Sequence, residues 1–161
     1  SDGSQLPVPN WDKNYLSDGY IIDFPEGADR ILNEMLNSSS WSGLFLTFDY
    51  GMQTRELFEN RPSGTARAYK NHTMQNNLLS NPGDQDITCH VCWDPLMNTL
   101  DKFGFKNIEV NSQESFFMNF GTSLLKQCIR DGDRQKINAV KEIIHPQMMG
   151  QKFQALHAFK D

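Results

Sequence analysis

The feature that most constrains the fold is a run of apolar residues, Gly43 to Phe48 (GLFLTF), that stops abruptly at Asp49-Tyr50-Gly51. The run is too short for a helix that buries itself. Its near-continuous apolar character suits a strand covered on both faces, as in a parallel sheet. Helical and strand-like segments alternate around it. Gly19 to Phe24 (GYIIDF) reads as a short strand, and Pro25 punctuates it. Ala28 to Leu36 follows, with Ala28, Ile31, Leu32, Met35 and Leu36 at the spacing of one helical face. Met52 to Gln85 is polar and irregular, carrying Pro62, Gly64, Pro82 and Gly83, and long irregular segments of this kind tend to be functional.

Regular structure then resumes. Asp86 to Trp93 (DITCHVCW) reads as extended. Asp94 is a suitable helix N-cap with Pro95 behind it, and the helix should run to Lys102 and stop at Gly104. Phe105 to Val110 predicts another strand, Ser112 to Gln127 one helix with Ser112 or Ser115 as its cap, and Arg134 to Ile144 a second. Phe153 to Phe159 (FQALHAF) alternates apolar and polar, which predicts a closing, half-exposed strand. The order is that of an α/β fold. In such folds ligands sit beyond the carboxyl ends of the strands. That placement makes Asp49 and Tyr50 candidate site residues on physical grounds.

Composition narrows the function classes. The 161 residues suit one domain and carry a formal net charge of -5. No block of Lys and Arg is present to track a phosphate backbone, so no nucleic-acid partner is expected. No apolar run approaches the roughly 20 residues that span a bilayer. Three cysteines, Cys89, Cys92 and Cys128, are too few and odd in number for a disulfide framework, which points to a reducing compartment. Residues 1–14 read as a polar lead-in or cloning remnant, and 15–161 as the folded part.

Three clusters carry chemistry. Asp49-Tyr50-Gly51 puts a carboxylate and a phenol at a sheet rim, with Gly51 free to turn the chain through positive φ. The alternative is a plain strand exit. The segment Gly64 to His72 (GTARAYKNH) sets Arg67, Tyr69 and His72 among small residues. There Arg67 could clamp a carboxylate or brace the loop against Asp49. The alternative is a solvated loop. Finally, if Asp86 to Val91 is extended, Asp86, Thr88 and His90 share one face, and His90 is a group able to titrate near neutral pH. The alternative is a structural histidine. Cys89 and Cys92 have CxxC spacing, but no further ligands stand at zinc-motif spacing, so no metal is expected. Neither a GxGxxG nor a Walker-type loop occurs.

Four stretches in order, GLFLTFDYG (Gly43 to Gly51), RPSGTARAYKNH (Arg61 to His72), NPGDQDITCHV (Asn81 to Val91) and KFQALHAF (Lys152 to Phe159), resemble the MidA-like methyltransferases. That family includes bacterial proteins and a mitochondrial arginine methyltransferase that assists respiratory complex I assembly. The resemblance implies the C-terminal part of a Rossmann-like methyltransferase sheet, with helical and loop insertions and the last strands partly antiparallel. It also implies S-adenosylmethionine as cofactor of the complete enzyme and a protein arginine side chain as methyl acceptor. The implied location is the bacterial cytoplasm or the mitochondrial matrix.

On this reading Asp49, Tyr50 and His90 would be catalytic, and Arg67, Tyr69, His72, Asp86 and Thr88 would bind substrate. The chain departs from the family pattern at Ala66, where the family has Leu, and at Cys92, where it usually has Asp. The family's glycine-rich cofactor loop has no counterpart here. The chain is therefore expected to be the acceptor-side half, inactive alone, with Gly43 to Phe48 an exposed apolar edge prone to self-association. A non-catalytic protein-interaction domain of the same architecture is the competing reading.

Overall fold

The computed structural model describes Gly19, Ile21, Asp23, residues 26–38, residue 40 and residues 42–161. The lead-in lies outside these residues, as does most of the strand expected at Gly19 to Phe24. Ile21 alone is seen to pair, in a parallel bridge to Ser63, with its N–H donating to the Pro62 carbonyl at 3.0 Å. The described residues fall into two units.

The larger unit, 24–53 with 89–161, is built on three strands. These are β1 (Gly43–Asp49), β7 (Lys106–Ser112) and β8 (Gln154–Lys160), in the order β1-β8-β7. β8 is antiparallel to both neighbours, so β1 and β7 run parallel to each other. One face is covered by helices α1 (Glu26–Asn37) and α3 (Trp93–Lys102). Leu32, Leu36, Leu96 and Leu100 pack there on Leu156 and Ala158, with Phe105 edge-on to Phe45. Thr99 Oγ1 donates to the Asp29 carboxylate and so ties α3 to α1. The other face is covered by α4 (Gln113–Phe120), whose Phe116 and Phe117 pack on Phe48. α5 (Thr122–Arg130) and α6 (Arg134–Ile144) follow.

Several sequence expectations change for local reasons. β1 is not buried on both faces in a parallel sheet. It pairs antiparallel with β8 and has no strand on its other edge among the described residues, leaving Leu44 47% and Leu46 38% exposed. The closing strand, by contrast, is not half-exposed. It lies centrally between two helical layers, and Ala155, Leu156, His157 and Ala158 are all buried.

The helix expected from Ser112 to Gln127 is two. Gly121 ends α4 by donating its N–H to the Phe117 carbonyl at 2.8 Å, and a Cβ there would meet that same oxygen at 2.9 Å. Ser112 caps α4 as expected, accepting the Ser115 N–H. α3 begins at Trp93, with Cys92 rather than Asp94 at the cap, so Pro95 sits two residues inside its start. Its end at Gly104, φ 83, is as expected. Of the apolar positions on α1 only Leu32 and Leu36 are buried, while Ile31 and Met35 stay exposed.

The smaller unit, built on 54–88, shows that the polar segment after Met52 is irregular only in part. It forms α2 (Thr54–Asn60) and a three-stranded antiparallel sheet. Its strands are β3 (Arg67–Lys70), β4 (Thr73–Gln75) and β5 (Asp86–Thr88), in the order β4-β3-β5. β3 and β4 are joined by the two-residue turn Asn71-His72, with φ 50 and 60. Positive φ at both positions is the type I′ geometry that matches the twist of a hairpin. No helix among the described residues is long and apolar enough to cross a membrane.

Candidate functional site

In the larger unit the chain leaves β1 through Asp49, Tyr50 and Gly51. Asp49 Oδ1 accepts the Tyr50 N–H at 2.7 Å, which turns the carboxylate back over the strand end. The Tyr50 carbonyl accepts the Val91 N–H at 2.8 Å. That bond introduces a short parallel pairing of β2 (Gly51–Met52) with β6 (Val91–Cys92). The Tyr50 ring lies 4.0 Å from Phe153, centroid to centroid, and 6.5 Å from His90 in a near-parallel stack. His90, distant in sequence, is thus brought to the rim where Asp49 and Tyr50 lie.

Gly51 does not serve as expected, because its φ is not positive. A Cβ there would lie 2.1 Å from Trp93 Nε1 and 2.2 Å from Cε2. Glycine is needed for close approach of the backbone to a buried indole.

Sequence reasoning missed two residues of this rim. Gln154 stands directly opposite Asp49 in the β1–β8 register and opposite Ser112 in the β7–β8 register. Directly opposed residues share a face. Asp49, Gln154 and Ser112 therefore form a polar row across the sheet at the carboxyl ends of β1 and β7. The Trp93 indole N–H donates to Gln154 Oε1 and so holds that side chain. The row depends on antiparallel register between segments a hundred residues apart, which no local pattern encodes.

The smaller unit gathers the other predicted residues differently. Arg67 is opposite Thr88, and Tyr69 is opposite both Asp86 and Met74. Arg67, Tyr69, Asp86 and Thr88 hence occupy one face of the β4-β3-β5 sheet, with Met74 beside them. The Arg67 guanidinium donates to the Ala66 carbonyl at 2.7 Å and the Gly64 carbonyl at 3.4 Å. The loop before β3 is pinned from its other side as well, since the Thr65 N–H and hydroxyl both donate to the Asp23 carboxylate. His72 is at the hairpin tip, exposed. The polar face expected to join Asp86, Thr88 and His90 does not form as one strand. β5 ends at Thr88, residues 89–90 belong to no strand, and β6 pairs in a different sheet.

Cys89 is exposed and Cys92 buried at the start of α3, and Cys89, Cys92 and Cys128 are all thiols. Among the described residues no cluster of three or more His, Cys, Asp or Glu side chains converges to hold a metal ion.

Residues 4–110 match the model of a family described as "Putative S-adenosyl-L-methionine-dependent methyltransferase". The chain belongs to this methyltransferase family. Two solved structures from Burkholderia thailandensis share the fold. An uncharacterized superfamily protein superposes with a TM-score of 0.76 at 25% identity, over 89% of this chain and 40% of its own. A member of the same superfamily, described as a candidate methyl transferase and bound to S-adenosyl-homocysteine, gives 0.75 at 23% identity, over 89% of this chain and 38% of its own. The chain thus spans about 40% of the length of the structures it matches. No curated protein matches it.

The strand end after β1 does not fit S-adenosylmethionine. The space beside the glycine that follows β1 is taken by the Trp93 indole, and no second glycine stands beside it to open a backbone cradle.

Proposed function

We propose that the chain is the acceptor-side part of an S-adenosylmethionine-dependent protein methyltransferase of the MidA-like branch, directed at arginine side chains. The observation that carries this reading is the rim of the larger unit. A carboxylate, Asp49, stands at the carboxyl end of a strand, and Tyr50 next to it in the chain brings its ring within 6.5 Å of the His90 ring. A carboxylate beside aromatic rings suits a guanidinium, which it holds by charge-assisted hydrogen bonds while the rings flank its planar cation. Methyl transfer to such a nitrogen depends chiefly on positioning. In this reading Asp49 orients the guanidinium, Tyr50 packs against it, and His90 lies close enough to Tyr50 to influence the proton left behind. Arg67, Tyr69, Asp86 and Thr88 present a mixed polar and aromatic sheet face suited to a peptide, and His72 is the residue at the tip of its hairpin.

The methyl donor would be bound by sequence beyond these residues. The likeness to a neighbour bound to S-adenosyl-homocysteine, over only 38% of that neighbour, supports this division. The exposed Leu44 and Leu46 on β1 mark where further sheet or a second copy would pack, so self-association of the isolated chain belongs to the proposal. The three thiols suit a reducing compartment such as the bacterial cytoplasm or mitochondrial matrix.

The test is Asp49→Ala in the complete enzyme, with transfer to protein arginine followed by mass spectrometry. Transfer should be lost while circular dichroism is unchanged. Wild-type turnover in that variant would sink the assignment. A second reading, a non-catalytic interaction domain, is favoured by the same exposed apolar strand. It predicts a complete protein that binds a partner through β1 and transfers no methyl group.

A further inference from the structure

We propose that Gln154 is a substrate-recognition residue, whose side-chain N–H groups bind a main-chain carbonyl oxygen of the acceptor beside Asp49. The inference rests on the reading of this rim as the acceptor side and adds a specificity element to it.

The first ground is the orientation of the Gln154 amide. An amide's oxygen and nitrogen are hard to tell apart by shape, but here the partner decides. The indole N–H of Trp93 can only donate, so the end of Gln154 that faces it is the oxygen. The nitrogen, with its two N–H groups, is then the end turned away from Trp93. It has no hydrogen-bond partner among the described residues, and Gln154 is half-buried rather than fully solvated.

Rigidity is the second ground. Trp93 is 1% exposed and is pressed against the backbone of Gly51. The acceptor end of Gln154 is therefore moored to the core, and its donor end is held in place before any ligand arrives. A donor fixed in this way loses little freedom on binding.

The third ground is the neighbour. Gln154 and Asp49 are directly opposed on antiparallel strands, which sets their Cβ atoms about 4.5–5.5 Å apart on one face. Asp49 Oδ1 is engaged by the Tyr50 N–H, which leaves Oδ2 as an outward acceptor. The rim so presents one acceptor and one donor side by side. A guanidinium carries donors only and satisfies Asp49 but not Gln154. A peptide carries a carbonyl as well and satisfies both. Gln154 is thereby the group that distinguishes an arginine within a polypeptide from a free guanidine.

The test uses the 161-residue chain, isotopically labelled, with side-chain and backbone N–H resonances followed by nuclear magnetic resonance. One arm titrates N-acetylglycine N-methylamide, a neutral main-chain mimic. The other titrates ethylguanidinium. The mimic should move the Gln154 side-chain N–H resonances. Its affinity should fall about fivefold in Gln154→Met and in Gln154→Glu, the scale of one lost hydrogen bond. Gln154→Glu keeps an oxygen for the Trp93 indole, so it decides the matter should Gln154→Met fold poorly. Ethylguanidinium binding should be unchanged in Gln154→Met. The proposal is overturned if the mimic leaves the Gln154 resonances unmoved, or if both variants bind it as wild type does. Failure of ethylguanidinium to move the Tyr50 amide, with the mimic still binding, would instead refute the arginine reading and leave Gln154 standing.

Discussion

Replacing Gly51 by Ala should destabilise the larger unit by about 2–4 kcal/mol, and the figure follows from the Trp93 indole. The new methyl would stand 2.1 Å from Nε1, 2.2 Å from Cε2 and 2.6 Å from Cζ2. Ordinary carbon contacts lie near 3.5–4.0 Å, so backbone and ring must part by more than about 1 Å. Trp93 is 1% exposed, so its ring is held within the core. Overpacking of this kind costs roughly 1–3 kcal/mol. Moving the ring also breaks its bond to Gln154 Oε1, worth about 1 kcal/mol.

Urea denaturation followed by far-ultraviolet circular dichroism reads the loss. With a slope of about 2 kcal/mol per molar, the midpoint should fall by roughly 1–2 M. The specificity of the argument is tested by adding Trp93→Phe, whose smaller ring makes room for the methyl. Gly51→Ala should then cost less in the Trp93→Phe background than in wild type, a coupling of about 1 kcal/mol or more. An alanine at position 51 that leaves the midpoint within experimental error would refute the claim that the indole is what demands glycine there.

Two other perturbations separate structural from functional roles. His72→Gly relieves a non-glycine residue at φ 60 and should stabilise the β3–β4 hairpin by about 0.5–1 kcal/mol, read as slower amide hydrogen exchange in that hairpin. If peptide binding falls as the hairpin gains stability, His72 touches substrate; if binding is unchanged, its place is set by the turn alone. Leu44→Lys with Leu46→Lys puts two charges on the exposed side of β1 and should reduce self-association in sedimentation without lowering the urea midpoint by more than about 0.5 kcal/mol equivalent. A large stability loss would show that both side chains are core in the isolated chain.

Much of the element order was legible before any coordinates. Terminators and caps acted locally: Gly104 stops α3, and Ser112 caps α4. The errors came where a local signal was ambiguous. Asp94-Pro95 looked like a helix start because both residues favour the first turn, yet pairing of Val91–Cys92 with Gly51–Met52 lets the helix begin at Trp93. The polar stretch after Met52 looked irregular because its strands are only three or four residues long. The β7–α4 junction was expected, but the split at Gly121 was not.

The candidate site divides along the same line. Asp49 and Tyr50 could be placed at a rim from sequence because an apolar run ending in Asp-Tyr-Gly marks a strand end wherever it occurs. Arg67, Tyr69, Asp86 and Thr88 were singled out one by one, but their common face depends on Arg67 lying opposite Thr88 and Tyr69 opposite Asp86. Register of this kind is a long-range property. A slip of one residue would send every side chain to the other face at no local cost. Gln154 and Trp93 escaped notice for that reason, since nothing near either residue shows that one will hold the other or that Asp49 lies across the strand. By itself the sequence determined most strands and helices of the larger unit, many of their ends, and membership of a family of S-adenosylmethionine-dependent methyltransferases. Tertiary structure alone decided that β8 is the covered centre of its sheet, that Gly51 exists to admit an indole, and which polar side chains meet at the rim. Packing and pairing, unlike propensity, are settled only when distant segments touch.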